Sequence, residues 1–161
     1  WKYEPIYINT YSNDESQLNI SARLQRSAHN DLSIGMDIDW MYDTNENDTF
    51  EMQIFRSPHG NLNEYMATPI GIPKMSLEKA LSDYYEKFVY PACAHCSNML
   101  KYADLPNGKL AKQHYVFDHC VVNYKVLPHI MPEGTYKIVI MLSHDFEWGF
   151  EIVAKVTPKI L

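Results

Sequence analysis

The stretch Leu32-Ser33-Ile34-Gly35-Met36-Asp37-Ile38-Asp39-Trp40-Met41-Tyr42-Asp43 decides the fold. Leu32, Ile34, Met36, Ile38, Trp40 and Tyr42 stand at every second position and alternate with Ser33, Gly35, Asp37, Asp39, Met41 and Asp43. Successive side chains of a β-strand point to opposite faces, so this spacing predicts a strand with one apolar and one wet face. The period returns at Leu18-Ile20-Ala22-Leu24, at Phe50-Met52-Ile54 and at Phe146-Trp148-Phe150-Ile152-Ala154-Val156. One-sided strands this rich in aromatics and Met must cover an apolar interior, solid or hollow. Met serves either case: it suits adaptable apolar surfaces and it fills gaps in a packed core.

Working outward, further strands are predicted at 2–9, 17–27, 49–56, 65–72, 113–126, 135–143 and 146–157. Pro69 restricts the strand at 65–72 to a sheet edge. One helix is predicted over 76–90. Ser76 can cap it, Glu78 lies in its first turn where the dipole favours an anion, and Pro91 ends it. Leu77, Leu81, Tyr84, Tyr85 and Phe88 form its apolar stripe. The fold class is therefore mainly β, a two-sheet cup or sandwich of antiparallel strands with one helix on one side.

The chain of 161 residues suffices for one domain, taken as 1–161, with neither repeat nor low-complexity linker. A net charge of −6 argues against a nucleic-acid partner, which needs clustered Lys and Arg. No apolar run approaches the ~20 residues that span a bilayer. The start at Trp1 reads as a mature chain whose targeting segment has been removed. Two sequons, Asn19-Ile20-Ser21 and Asn47-Asp48-Thr49, support a secretory route with glycans at Asn19 and Asn47.

Cys93-Ala94-His95-Cys96 with His119-Cys120 is the one cluster worth weighing as chemistry. It is compatible with a Cys₃His zinc site, with a redox C-x-x-C, or with one structural disulfide and an odd cysteine. The redox reading is disfavoured because the pair follows a helix C-terminus, where the dipole opposes a thiolate. Asp37, Asp39, Asp43 and Glu51 fall on wet strand faces, where nothing raises a carboxyl pKa toward general-acid use. The seven His are scattered, and the phosphate-loop, nucleophile-elbow and H-E-x-x-H patterns are missing. The expectation is a non-enzyme with neither cofactor nor metal. In the loop 127–134, Leu127, Ile130 and Met131 are apolar without alternation, between Pro128 and Pro132. Such residues mark a binding surface or a lip touching a membrane, or a loop folded onto the core.

Several of these pieces, taken in order, resemble the insect chemosensory protein B family. They are Trp1-Lys2-Tyr3-Glu4, Tyr11-Ser12-Asn13-Asp14-Glu15-Ser16, Trp40-Met41-Tyr42-Asp43-Thr44 and Ile72-Pro73-Lys74. Tyr84-Tyr85, His95-Cys96-Ser97-Asn98 and Cys120-Val121-Val122 continue the series. The C-terminal part carries Leu127-Pro128, Pro132-Glu133-Gly134-Thr135-Tyr136-Lys137-Ile138, Glu147-Trp148-Gly149-Phe150 and Lys155-Val156-Thr157. That family is similar to the ganglioside-activator protein of the ML lipid-recognition superfamily. The resemblance implies a secreted, non-enzymatic β-cup acting in contact chemosensation, in sensillum lymph. Its partner would be a hydrophobic small molecule: a long-chain lipid, a cuticular hydrocarbon or a pheromone. Because Cys96 sits in the family's His-Cys-Ser-Asn motif, the resemblance implies a Cys96–Cys120 disulfide and leaves Cys93 outside.

The cavity of such a cup is expected to be lined by Ile38, Trp40, Met52, Ile54, Leu81, Phe88, Ile138, Ile140, Trp148 and Phe150. Leu127, Ile130 and Met131 are its expected rim, with peripheral membrane contact there. The alternative is an interaction module with a filled core that modulates a chemosensory receptor or ion channel.

Overall fold

The alternating stretch becomes strand β3, Leu32–Trp40, the middle strand of a three-stranded sheet. The computed structural model describes residues 1–61, 63–121 and 131–160. β3 pairs antiparallel with β2 (Leu18–Arg26) on one side and β6 (Gln113–Cys120) on the other. The register sets Leu18 opposite Trp40, Ile38 between Ile20 and Tyr115, and Ala22 opposite Met36. The apolar period of each strand therefore adds to one continuous inner face. On the outer face, Asp37 and Asp39 meet Arg23 and His114.

A five-stranded sheet faces it, in the order β1 (Lys2–Ser12), β8 (Glu147–Thr157), β7 (Gly134–Ser143), β4 (Thr49–Ser57) and β5 (Met66–Ser76). All its pairs are antiparallel. Its inner face carries cross-strand rows: Ser12, Trp148, Leu142 and Phe50; Thr10, Phe150, Ile140 and Met52; Ile8, Ile152, Ile138 and Ile54. The next row holds Pro5, Ala154, Tyr136 and Arg56. β5 lies at the sheet edge, as its prolines require. The two sheets are joined along β1 and β2, where Ser12 Oγ donates to the Leu18 carbonyl at 2.6 Å and Thr10 Oγ1 to that of Ile20 at 3.3 Å.

The helix starts as read, with the Lys79 N–H donating to Ser76 Oγ at 3.1 Å. It is α-helical over Leu77–Ala80, widens to a π-helix over Leu81–Val89 and is α-helical again over Tyr90–Cys93. It thus runs past Pro91, against expectation. Proline ends an α-helix by clashing with the carbonyl four residues back and by lacking an N–H. Here Pro91 enters at the start of the last turn, and the Tyr90 N–H bonds five residues back to Tyr85. The wider turn absorbs the missing donor.

The Cys96–Cys120 disulfide is present and ties the segment after the helix to the end of β6. Beside it Asn98 covers the open edge of β6: its Nδ2 donates to the His114 carbonyl at 2.8 Å and its Oδ1 accepts from Val116 N at 2.9 Å. A paired edge no longer invites another strand. The strand expected over 113–126 ends at Cys120, after a register shift at the point where His119 takes φ +51°. The part of that expectation at 122–126 lies outside the described residues.

Replacing both Cys96 and Cys120 by Ser is expected to cost about 3–4 kcal/mol of unfolding free energy in urea, from closure of a loop with sequence separation 24. The denatured, unreduced wild type should titrate a single thiol, that of Cys93.

Candidate functional site

The two sheets meet at one end. Leu18, Ile20, Met36, Ile38, Trp40 and Tyr115 of the small sheet form one buried cluster with Leu142 and Trp148 of the large sheet. Leu77, Leu81 and Tyr85 of the helix close its side. Trp40 and Trp148 cross edge to face, centroids 5.2 Å apart, a favoured aromatic geometry. Trp148 Nε1 donates to Tyr42 Oη at 2.9 Å, and burial drives the Tyr42 phenol far above its ordinary pKa. Tyr42 stacks on His144 at 4.3 Å, and His144 Nδ1 lies 2.6 Å from the buried Asp48 carboxylate. The turn before β4 and the β7–β8 hairpin are thereby clamped over this end.

The other end is different. Ile54, Met131, Tyr136 and Val156 form a second buried cluster, with Tyr3, Met52, Ile70 and Ile138 packed against it. All of them except Met131 belong to the five-stranded sheet, and none comes from the three-stranded one. In a filled sandwich the inner side chains of both sheets interdigitate into one core. Among the described residues they do so in the cluster around the tryptophans. Between the clusters, Met52, Ile138, Ile140, Phe150 and Ile152 are apolar but only partly buried. On the small sheet's inner face, Ala22, Leu24 and Phe117 are also partly exposed.

The residues expected to line a cavity therefore divide. Ile38, Trp40, Leu81 and Trp148 fill the packed end. Ile54 is buried in the second cluster, with Met52 and Ile138 against it, and Ile140 and Phe150 pack against the first. Phe88 points away, 46% exposed, beside Tyr84. Seven residues on from Leu81, it would share that face of an α-helix, but the wider π turns rotate it off. Of the expected rim, Met131 is 4% exposed and packs into the second cluster instead of standing free. Leu127 and Ile130 lie outside the described residues.

One residue was not singled out from the sequence. Arg56 follows Phe50, Met52 and Ile54 on the inner period of β4 and stands in register with buried Tyr136. The signal was a cation closing an apolar alternating series. Its Nη2 donates to the Glu133 carbonyl at 2.6 Å, while its Nε is buried with no partner among the described residues. Tyr136 Oη donates to the Pro132 carbonyl at 2.6 Å. Burial raises the Tyr136 phenol pKa, and the Arg56 guanidinium facing it opposes that rise.

Elsewhere the sites are structural. Cys93 is buried, its Sγ donates to the Val89 carbonyl at 3.1 Å, and burial pushes its thiol pKa up, away from reactivity. The described residues contain no group of three or more metal-ligating side chains. Asp43 pairs with Lys112 at 3.2 Å on the surface. Two open depressions share Lys112, one of about 480 Å³ beside Asp43 and Lys109, the other of about 340 Å³ beside Asp39 and His114. Met52, Ile138, Ile140 and Phe150 take no part in either. Asn19 and Asn47 are both exposed. Among the described residues no helix is long and apolar enough to cross a membrane.

Residues 50–138 match the model of the family described as Protein of unknown function (DUF1091). The match covers more than half of the chain, which belongs to that family. A comparison with curated proteins found no match.

The outer-face ion cluster gives a test of the electrostatics. Hydrogen bonding to Asp39 first, and the charges of Asp39 and Asp37, raise the His114 pKa. Its stabilisation is then fully present below the unfolded value of about 6.5 and is lost as pH rises through the higher folded value. Asp37 is held low, chiefly by Arg23, so its share is present above about 3.9 and is lost as pH falls through its lower folded value. The stability difference between wild type and His114→Gln should therefore be largest near pH 5–6 and shrink as pH rises through the folded-state value, read by thermal melts at stepped pH.

Proposed function

We propose that this chain is a secreted, non-enzymatic carrier that shelters a hydrophobic small molecule between its sheets. The observation that carries the reading is the one-sided second cluster. Ile140 and Phe150 pack against the tryptophan cluster and Met52 and Ile138 against the second one, yet these four and Ile152 form an apolar floor on the large sheet that stays partly open. A tail laid on it exchanges water for hydrocarbon, at about 0.8 kcal/mol per methylene. About eight methylenes give roughly 6 kcal/mol before ordering costs, so binding depends on a floor that is already formed. Side chains in a close-packed sheet rooted at the tryptophan end meet that condition.

The disulfide fits an oxidising compartment. The exposed sequons Asn19 and Asn47 fit passage through a secretory route. The resemblance to the insect chemosensory protein B family supplies the finer reading. In it the cargo is a long-chain lipid, cuticular hydrocarbon or pheromone, carried in sensillum lymph during contact chemosensation. The open end would meet a membrane peripherally or a receptor. A second reading, an interaction module acting on a receptor or channel, draws on the exposed apolar side of the helix at Phe88 and Val89.

Native mass spectrometry of the purified protein, with lipid extraction and titration of a fluorescent fatty-acid probe, separates the two. The carrier takes up one probe per chain. Ile140→Trp, which fills the floor, should weaken uptake at least tenfold with unchanged circular dichroism, while Phe88→Ser should leave it intact. A protein that is isolated empty and refuses the probe points to the module.

A further inference from the structure

The floor has direction. From the packed tryptophans it runs through the row of Phe150, Ile140 and Met52, then Ile152, Ile138 and Ile54, and reaches the row of Tyr136 and Arg56. At ~3.3 Å per residue, the four residues from Met52 to Arg56 span about 13 Å. One end is closed by two crossed indoles and the other by a guanidinium. That cation is out of place as a purely structural group. No ion pair among the described residues includes Arg56. The segment 122–130 carries no carboxylate in its sequence. Arg56 spends one nitrogen on the Glu133 carbonyl and leaves Nε–H buried and unmatched beside an apolar cluster. Burying a donor without a counterpart is costly, and an arginine fork is suited to a carboxylate.

We propose that Arg56 receives the carboxylate of a single-chain fatty acid whose tail lies along this floor toward Phe150. The inference rests on the carrier reading and deepens it: the guest is an acidic amphiphile rather than a neutral hydrocarbon. Arg56 Nε–H and a neighbouring Nη hold the headgroup, and the Trp40–Trp148 contact limits how deep the tail can go. Recognition is then divided between a permissive floor, which discriminates poorly among chain lengths, and a polar end that discriminates sharply between charged and neutral heads.

The test compares dodecanoate with dodecan-1-ol by isothermal titration calorimetry at pH 7.4. Wild type is expected to bind dodecanoate at least tenfold more tightly than the alcohol. Arg56→Gln should bring the acid down to the affinity of the alcohol, and Arg56→Lys should keep part of the preference. A wild type that binds both equally, or an Arg56→Gln protein that keeps the preference, overturns the assignment while leaving the carrier reading in place. If neither compound binds, the carrier reading falls, and the Arg56 assignment with it. Should Arg56→Gln not fold, the ¹⁵Nε–H resonance of Arg56 in the wild type decides. A shift with dodecanoate and none with the alcohol supports the assignment, and an unmoved resonance refutes it.

Discussion

The crossing of Trp40 and Trp148 is the contact on which the rest of the architecture depends. It is the place where the two sheets touch through large rings, with centroids 5.2 Å apart. The Trp148 indole N–H is satisfied by Tyr42, and Tyr42 is held in turn against His144 and Asp48. A buried polar chain like this one fixes geometry because each member would be costly to leave unpaired. Sheets pinned at one end and joined along β1 and β2 need not close at the other. Their twist carries the inner faces apart unless side chains from both sides fill the space. Among the described residues the far cluster is built by one sheet and Met131.

That asymmetry links packing to function. The packed end supplies the rigidity and the half-buried floor supplies apolar surface that remains reachable. The same sheet serves both roles through successive rows of one pleated face. The step from Trp148 and Leu142 to Phe150 and Ile140 is one row, and burial falls across it although all four residues are large and apolar. The proposed carrier presents its oily surface through the half-buried rows, and the proposed role of Arg56 gives that surface a polar end.

The strands and their inward positions were legible because period two is a local property. Leu32–Trp40, the 18–24 series and the 146–156 series all orient as their alternation requires. The edge position of β5 was legible from Pro69 for the same reason. How far apart the sheets stand is not local, and so a list of inward residues could not separate the filled end from the floor. Ile38 and Ile140 are the same residue type on the inner faces of the two sheets, yet one is buried and the other partly open. Phe88 was misplaced because a helical stripe was counted on α-helical turns, while the chain adopts i→i+5 bonding before Pro91. Arg56 was passed over because an arginine at the end of a strand reads as a solvated terminus. Its register with buried Tyr136 becomes visible only once β4 and β7 are paired.

The open floor can be probed with methyl-labelled protein and a stearate that carries a nitroxide on its chain. One equivalent should bind, with paramagnetic broadening first at the methyls of Met52, Ile138, Ile140 and Ile152, and spared signals for Leu77 and Leu142 in the tryptophan cluster. Broadening confined to Val89 and its exposed surroundings, or none at all, would contradict it.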